Sequence, residues 1–139
     1  MPSCFLTEVL TPEKSFFCSE IQSIILPCAD GYMSVQKMHA SEVIAVVPGV
    51  VKVQTKEGEW REFSVSFGFM EIRPDEAILF AETAEWPEDI DVARAERDRQ
   101  EAEEILRQKR SNTEYQESQL ALAKAMARLK LGRHRMNIN

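Results

Sequence analysis

The chain has 139 residues, of which 44% are hydrophobic and 29% charged, a composition typical of one globular domain or two small ones. No apolar run approaches the roughly 20 residues that a membrane-spanning helix needs, and the N-terminus lacks the basic and apolar regions of a secretory signal. The net charge of −6 disfavours nucleic acid as a partner. After Glu117, however, the chain contains no acid and five basic side chains, so this end is expected to meet an acidic protein surface or a phosphate.

Residues 1–86 predict a domain of short strands. Apolar residues alternate with polar ones, for example over Phe17–Ile25, between turn signals, a pattern typical of an antiparallel sandwich or barrel. Gly58 predicts a hairpin turn with positive φ, and Gly68 predicts a bulge or a tight bend. The predicted core consists of Phe5, Val9, Phe17, Ile21, Ile25, Val46, Val51, Val53, Phe63, Val65, Phe69, Ile72, Ile78 and Phe80.

Residues 87–139 predict a pair of antiparallel helices. The first begins around Glu88 and runs to about Arg110; the second follows a break at 111–113 and runs to about Leu131, where Gly132 is the expected C-terminal cap. The inward residues are mostly small, so this hairpin is expected to dock and undock at modest cost, with an ordinary small-residue interface as the alternative. The predicted inward residues are Ile90, Ala93, Ala102, Ile105 and Leu106 on the first helix, and Leu122, Ala123, Met126, Ala127 and Leu129 on the second.

The residues predict no catalytic or metal site. His39 and His134 are far apart in sequence and neighbour no obvious nucleophile, and there is no Gly-x-x-x-x-Gly-Lys phosphate loop. Three cysteines and two histidines offer too few ligands at usable spacing for zinc. Asp91 and Arg94 lie three residues apart and share one helix face, which is typical of a helix cap with a salt bridge but also fits a ligand site.

Several segments, in this order and spacing, resemble the epsilon subunit of bacterial F-type ATP synthases. One is Glu85-x-x-Glu-Asp-Ile-Asp-x-x-Arg-Ala, and another is Leu120-Ala-Leu-Ala-Lys-Ala-Met-Ala-Arg-Leu129. The segments at 69–75 and 77–84 are similar to two strand motifs of the same family. The resemblance covers the chain from Val9 to Leu131.

The resemblance implies a β-sandwich of about ten strands over residues 1–86 and a C-terminal two-helix hairpin over 87–139. It implies a noncatalytic subunit of the central stalk, at the cytoplasmic face of the bacterial membrane, that couples proton-driven rotation to ATP synthesis. The expected partners are the gamma subunit and the ring of c subunits, with the membrane reached only through the complex. The hairpin is expected to inhibit ATP hydrolysis by extending toward the beta subunit, with Lys124 and Arg128 meeting its acidic residues.

The resemblance also implies a regulatory ATP site, although no cofactor is required. The family motif of Ile or Leu followed by Asp-x-x-Arg-Ala falls on Ile90, Asp91, Arg94 and Ala95. Glu101 replaces a basic residue, and Arg97 or Arg99 is a possible substitute. The alternative is helix capping with solvated charge. The further candidate ligands of ATP are Glu85 upstream and Lys124 and Arg128 on the second helix.

The family's ring-facing loop corresponds to residues 31–41, where Gly31 and His39 are retained as candidate partner contacts. Lys37 and Met38 replace a Pro-Gly pair. Because methionine tolerates positive φ poorly, this turn is expected to be built differently. The competing hypothesis for the whole chain is a free-standing nucleotide-sensing module with the same fold. An exposed apolar patch on the sandwich would favour the stalk subunit, and a fully polar sandwich surface would favour the sensor.

Overall fold

A computed structural model describes residues 3–108 and 112–138 of the chain. These residues form nine β-strands, a short 3-10 helix at Pro87–Asp89 and two α-helices, α1 (Val92–Gln108) and α2 (Asn112–Ile138). Part of the predicted break, Ser111, lies outside the described residues, as does the predicted helix end at Arg110. None of the helices in the described part of the chain is long and apolar enough to cross a bilayer. The strands are β1 (Phe5–Leu10), β2 (Ser15–Cys28), β3 (Gly31–Gln36), β4 (Glu42–Val46), β5 (Gly49–Thr55), β6 (Trp60–Val65), β7 (Gly68–Ile72), β8 (Glu76–Ala81) and β9 (Ala84–Glu85).

The arrangement of these elements confirms the predicted β-sandwich followed by a helical hairpin. The strand order is β4-β7-β8-β1-β2-β5-β6-β9, and β3 also pairs with β2. Only β1 and β8 pair in parallel among the described strands. The 14-residue β2 pairs with β1 through its first half and with β3 and β5 through its second half, so it belongs to both layers. β3 replaces part of the loop that the sequence predicts at 31–41.

Most of the predicted core is confirmed, but Ile25 and Phe17 are only half-buried. The pairing of β2 with β5 shifts register between Ile21 and Ser23. This irregularity reverses which side chains face inward, because the side-chain period of a strand is two. Ile24 therefore takes the fully buried position that the alternation assigns to Ile25.

The prediction is also wrong for Phe69, which is 47% exposed, and for Ile78 and Phe80, which are half-buried. The buried residues of β7 and β8 lie one position away, at Met70 and Leu79 among others. Both faces of these strands carry large apolar residues, so alternation alone does not identify the inner face. The outer face consequently carries aromatic side chains that the core does not use.

Two glycines have the roles that the sequence predicts. Gly58 has a φ of 92° in the turn between β5 and β6. Gly68 begins β7 directly after a bend at Phe67, and a Cβ on Gly68 would collide with the carbonyl oxygen of Phe80. The close approach of the β7 and β8 backbones therefore depends on the missing side chain.

The two helices pack against each other, and α2 also packs against β5 and β6. The predicted inward stripe is wrong at Met126, which is 51% exposed, and at Ala93, which is exposed. Most of the buried residues of the two helices are small, and Leu129 and Leu131 are the larger ones among them. The buried residues are Ala95 and Ala102 on α1, and Ser118, Ala125, Ala127, Leu129, Leu131 and Gly132 on α2.

Helix α2 continues past Gly132, so the predicted cap at this residue is wrong. Gly132 is buried, and a Cβ there would lie 2.7 Å from Cγ2 of Val92 and 3.3 Å from Cγ2 of Ile90. Its missing side chain thus lets α2 cross the start of the hairpin closely. Next to it, Leu131 packs with Ile90 and Val50, and this apolar cluster attaches the hairpin to the sandwich.

Candidate functional site

A cavity of about 920 Å³ lies between the sandwich and the helical hairpin. Its walls come from the turn between β1 and β2, from the end of β8 through β9, and from both helices. Most of its lining side chains are polar or charged, so the cavity suits a charged ligand better than an apolar one. The charged lining residues are Glu13, Lys14, Glu82, Glu85, Asp89, Arg94, Asp98, Glu101, Glu117, Lys124 and Arg128.

Two basic residues of α2 reach across this cavity to acids of the sandwich. Arg128 donates from Nε and Nη2 to the two carboxylate oxygens of Glu85, at 2.7 and 3.3 Å, and its Nη1 lies 3.5 Å from Oδ2 of Asp98. Lys124 donates to Glu82 at 2.9 Å, and its Nζ lies 5.0 Å from the ring centroid of Phe67. Four of the predicted ligand and partner contacts therefore line the cavity between the sandwich and the hairpin. They are Glu85, Arg94, Lys124 and Arg128.

Of the motif residues Ile90, Asp91, Arg94 and Ala95 at the start of the hairpin, Arg94 alone lines the cavity. Arg94 lines it and makes no ion pair within 4 Å among the described side chains. Asp91 accepts a hydrogen bond from the backbone N–H of Arg94 at 3.0 Å, which is the geometry of a helix N-cap. Ala95 is fully buried and Ile90 packs in the apolar cluster with Val50, and neither lines the cavity.

The cavity is acidic overall. Its lining holds seven carboxylates and four basic groups, so acids exceed bases by three. Glu101, which stands where the family pattern has a basic residue, is one of these acids. A polyanion entering here would have to displace carboxylates from Arg128 or Lys124, or bind at Arg94 and Lys14.

Arg97 and Arg99 do not supply the missing positive charge, because neither lines the cavity. Arg99 is held by Glu96 and by Glu103, the latter at 2.8 Å. Hydrogen bonding to Arg99 lowers the pKa of Glu96 despite some opposing desolvation, and the charges of Arg99 and Arg133 lower it further. Arg133 donates to Glu96 at 2.8 Å and thereby ties the end of α2 to the start of α1.

An aromatic cluster that the sequence analysis did not identify fixes the connection between sandwich and hairpin. Trp86 stacks on Phe16 with 4.7 Å between ring centroids, and meets Phe63 edge-on at 5.6 Å. The guanidinium carbon of Arg61 lies 4.1 Å from the Trp86 ring centroid. The residue before the 3-10 helix is therefore anchored to the sandwich. A large aromatic residue directly before Pro87, where the strand pattern ends, is the sequence signal for this anchor.

Gly31 and His39, the candidate partner contacts, do not line the cavity. Gly31 has a φ of 121° at the start of β3, and His39 lies in the loop between β3 and β4. The Nδ1 atom of His39 lies 2.8 Å from the Ala40 carbonyl oxygen. The expectation that this loop avoids positive φ at Met38 is wrong, because Met38 has a φ of 68°.

The fold and the ion pairs define a protein in which a helical hairpin with a basic end docks on an acidic β-sandwich. The family model for the beta-sandwich domain of the ATP synthase delta/epsilon chain matches residues 4–87. The model for the long alpha-helix domain of the same chain matches residues 88–131. The protein belongs to the delta/epsilon chain family of the ATP synthases, as the sequence resemblance predicts.

Individual relatives agree with this assignment. The chain is 45% identical over 125 residues to the ATP synthase epsilon chain of Ruminiclostridium cellulolyticum, a match that covers 90% of this chain and 92% of the relative. It is 38% identical over 131 residues to the ATP synthase epsilon chain of Caldanaerobacter subterraneus, covering 94% and 95% of the two chains. A chain in the cryo-EM structure of the Euglena gracilis mitochondrial ATP synthase, titled OSCP/F1/c-ring, has a similar fold, with a TM-score of 0.81, 18% identity, and coverage of 96% of this chain and 84% of that one.

Proposed function

We propose that the chain is a noncatalytic subunit of the central stalk, located at the cytoplasmic face of the bacterial membrane. There it couples proton-driven rotation to ATP synthesis by binding the gamma subunit and the ring of c subunits. Family membership supports this role, and a solved structure of similar fold comes from an assembly whose title includes a c-ring. The observation that carries the proposal is an apolar surface on the sandwich.

This surface is the outer face of β4, β7, β8 and β1. Phe69 pairs with Ala45 on one side and with Phe80 on the other, and the two phenylalanine rings stack at 4.9 Å between centroids. Val43, on the same face of β4, is 67% exposed. Exposed apolar side chains such as Phe69 and Val43, close together on one sheet face, are typical of a protein interface. They favour the stalk subunit over the free-standing sensor, for which a polar sandwich surface is expected.

The gamma subunit is the proposed partner of this face. A Phe69→Asp variant places a charge at its centre, and Phe69 is exposed enough that the sandwich should still fold. We expect it to bind an epsilon-free F1 complex at least about tenfold more weakly than the wild type, because burying a carboxylate in an apolar interface is costly. Tyr115→Asp, which changes an exposed aromatic residue of α2, is the matched control. Equal affinity of Phe69→Asp and wild type would contradict the assignment of this face and favour the sensor.

The hairpin is the proposed regulatory element. In the docked arrangement, Lys124 and Arg128 are occupied by acids of the sandwich and of α1. Extension of the hairpin would release both cations, which could then meet acidic residues of the beta subunit and oppose ATP hydrolysis. Charge complementarity of this kind favours a specific partner more than it adds affinity. Lys124 and Arg128 would thus bind acids of the sandwich when the hairpin is docked and acids of the beta subunit when it is extended.

ATP is the proposed effector of this equilibrium, with Arg94 as the cation in the cavity that is ready to receive a phosphate. ATP titration of the isolated chain by calorimetry tests this role. We expect saturable binding that Arg94→Ala weakens strongly, whereas Arg107→Ala, on the exposed part of the same helix, leaves it unchanged. Absence of binding at millimolar ATP would exclude regulation by this nucleotide but would not contradict the stalk role.

A further inference from the structure

A second cavity, of about 460 Å³, lies between the C-terminal part of α2 and the hairpin-facing side of β2, β3, β5 and β6. This volume is within the roughly 300–1,000 Å³ that is typical of small-molecule sites. Ile25 pairs with Lys52, which pairs with Glu62, so these side chains form one row across the sheet. Ile25 is half-buried because this row faces α2 instead of the sandwich core. The second cavity requires the docked hairpin, since α2 supplies one of its walls.

The charge of the second cavity is opposite to that of the cavity that Arg94 lines. Lysine and arginine side chains exceed carboxylates by two in its lining, before the histidine is counted. Three of the basic residues lie three and four positions apart on α2, so they share one helix face. The second cavity therefore suits an anion better than the first one does. Its charged and titratable lining residues are Lys52, Glu62, Lys130, Arg133 and His134.

One of these cations is not engaged by an acid. Lys52 lies 3.7 Å from Glu62, and Arg133 donates to Glu96 at 2.8 Å. Lys130 has no acidic partner within 4 Å among the described side chains. An anion that enters the second cavity can thus reach Lys130 without displacing a carboxylate, which is not possible at Lys124 or Arg128 in the first cavity.

The rest of the lining is apolar or aromatic. Val50 and Leu131 belong to the apolar cluster that attaches the hairpin to the sandwich. Tyr32 pairs with Pro27, two residues after Ile25, so its ring lies on the same side of the sheet as Ile25. The Tyr32 side chain is 59% exposed. An accessible tyrosine ring beside aliphatic side chains suits a second flat ring, which gains from stacking as well as from burial.

We propose that the second cavity binds a phosphate monoester that carries an aromatic ring, with the phosphate at Lys130 and the ring against Tyr32 and Ile25. A phosphate monoester is close to doubly charged at neutral pH and has several strong acceptor oxygens, which suits a group of basic side chains. A ligand in this position contacts both the sandwich and α2, so it stabilises the docked hairpin. Binding is independent of the ATP role assigned to the first cavity, whereas its effect on regulation rests on the hairpin role proposed above.

Titration of the full chain with phenyl phosphate and with inorganic phosphate, followed by NMR chemical shifts, tests the site. Phenyl phosphate should bind about tenfold more tightly, because its ring adds stacking and apolar burial. Lys130→Gln should weaken the binding of both ligands about fivefold or more, because the cation without an acidic partner is lost. Tyr32→Ala should remove most of the difference between the two ligands, and Tyr32→Phe should retain it. Lys56→Gln, which changes an exposed lysine outside the cavity, is the matched control and should bind both ligands like the wild type.

Amide hydrogen exchange measures the consequence for the hairpin. With phenyl phosphate at about ten times its Kd, opening of α2 over residues 118–131 should become about tenfold rarer, since a ligand that binds only the docked state stabilises it by mass action. The same concentration should protect α2 less in Lys130→Gln. Unchanged exchange in the wild type despite saturable binding would overturn the link between this cavity and the hairpin.

The remaining outcomes separate this proposal from the ATP role. Equal affinities for the two phosphates in the wild type would overturn the ring site, and unchanged binding in Lys130→Gln would overturn the placement in the second cavity. Weaker binding in Arg94→Ala instead would place the phosphate in the first cavity, which supports the ATP role and overturns this one. If phosphatidylglycerol vesicles bind in a Lys130-dependent way and phenyl phosphate does not bind at millimolar concentration, the ligand is a lipid headgroup and the aromatic phosphate is wrong.

Discussion

The ion pair between Arg128 and Glu85 allows a quantitative test of what holds the hairpin on the sandwich. The guanidinium contacts both carboxylate oxygens, and the two side chains are only 20% and 28% exposed. Exposed ion pairs contribute about 0–1 kcal/mol, whereas hydrogen bonds to charged groups contribute about 1.5–3 kcal/mol. Partial exposure places this pair between the two ranges, at a coupling of about 1–1.5 kcal/mol. A coupling of this size changes the docking equilibrium by roughly tenfold.

A double-mutant cycle with Arg128→Met and Glu85→Gln measures this coupling. Amide hydrogen exchange of residues 118–131 gives the opening free energy of α2 in each variant. Arg128→Met alone should lower the opening free energy by more than the coupling, because Glu85 and Asp98 then lose their shared cation. The same change at Arg107, whose pair with Glu104 is exposed, should have little effect. A coupling below about 0.3 kcal/mol would refute the claim that this pair holds the hairpin.

Three further outcomes follow from individual side chains. Thr7→Val should raise the melting temperature, since the fully buried Thr7 hydroxyl has no hydrogen-bond partner among the described residues. Gly132→Leu should increase hydrogen exchange of α2 while β-strand amides stay protected, because the new side chain would collide with Val92. The lowered pKa of Glu96, caused first by its hydrogen bond from Arg99, contributes stability above the unfolded pKa that is lost as the pH falls through the folded pKa. Glu96→Gln should therefore flatten the acid limb of a thermal-unfolding profile.

The sequence predicts the fold well where one signal is unambiguous. Gly58 in its hairpin and the change from strands to helices near Pro87 are local patterns that the structure confirms. The errors occur where two readings fit the same residues. A register irregularity in the pairing of β2 with β5 places Ile24 in the buried position predicted for Ile25. No local sequence pattern indicates this pairing. Gly132 fits a helix cap equally well, but its role is set by contact with Val92.

The sequence likewise predicts some features of the candidate site and misses others. Lys124 and Arg128 are four residues apart, so their shared face on α2 follows from helix geometry. Their partners Glu82 and Glu85 lie about forty residues earlier, and only the docking of the hairpin brings them together. The helix cap that the sequence predicts at Asp91 is confirmed, because its carboxylate accepts from the backbone N–H of Arg94, but the predicted salt bridge between these two side chains does not form in the described part of the chain. Sequence distance therefore identifies residues that share an element and leaves contacts between elements undetermined.

The carboxylates around Arg128 bear directly on how nucleotide would act. Glu85 meets the guanidinium with two oxygens, which is also how a phosphate would bind it. The docked hairpin is thus stabilised by groups that are always present, and ATP can shift docking only by its difference in affinity for the two hairpin conformations. With acids exceeding bases in the cavity lining, ATP would gain mainly from Arg94 and Lys14 and would have to displace carboxylates to gain more. We therefore expect the hairpin of this chain to stay docked without nucleotide and to respond to salt more strongly than to ATP.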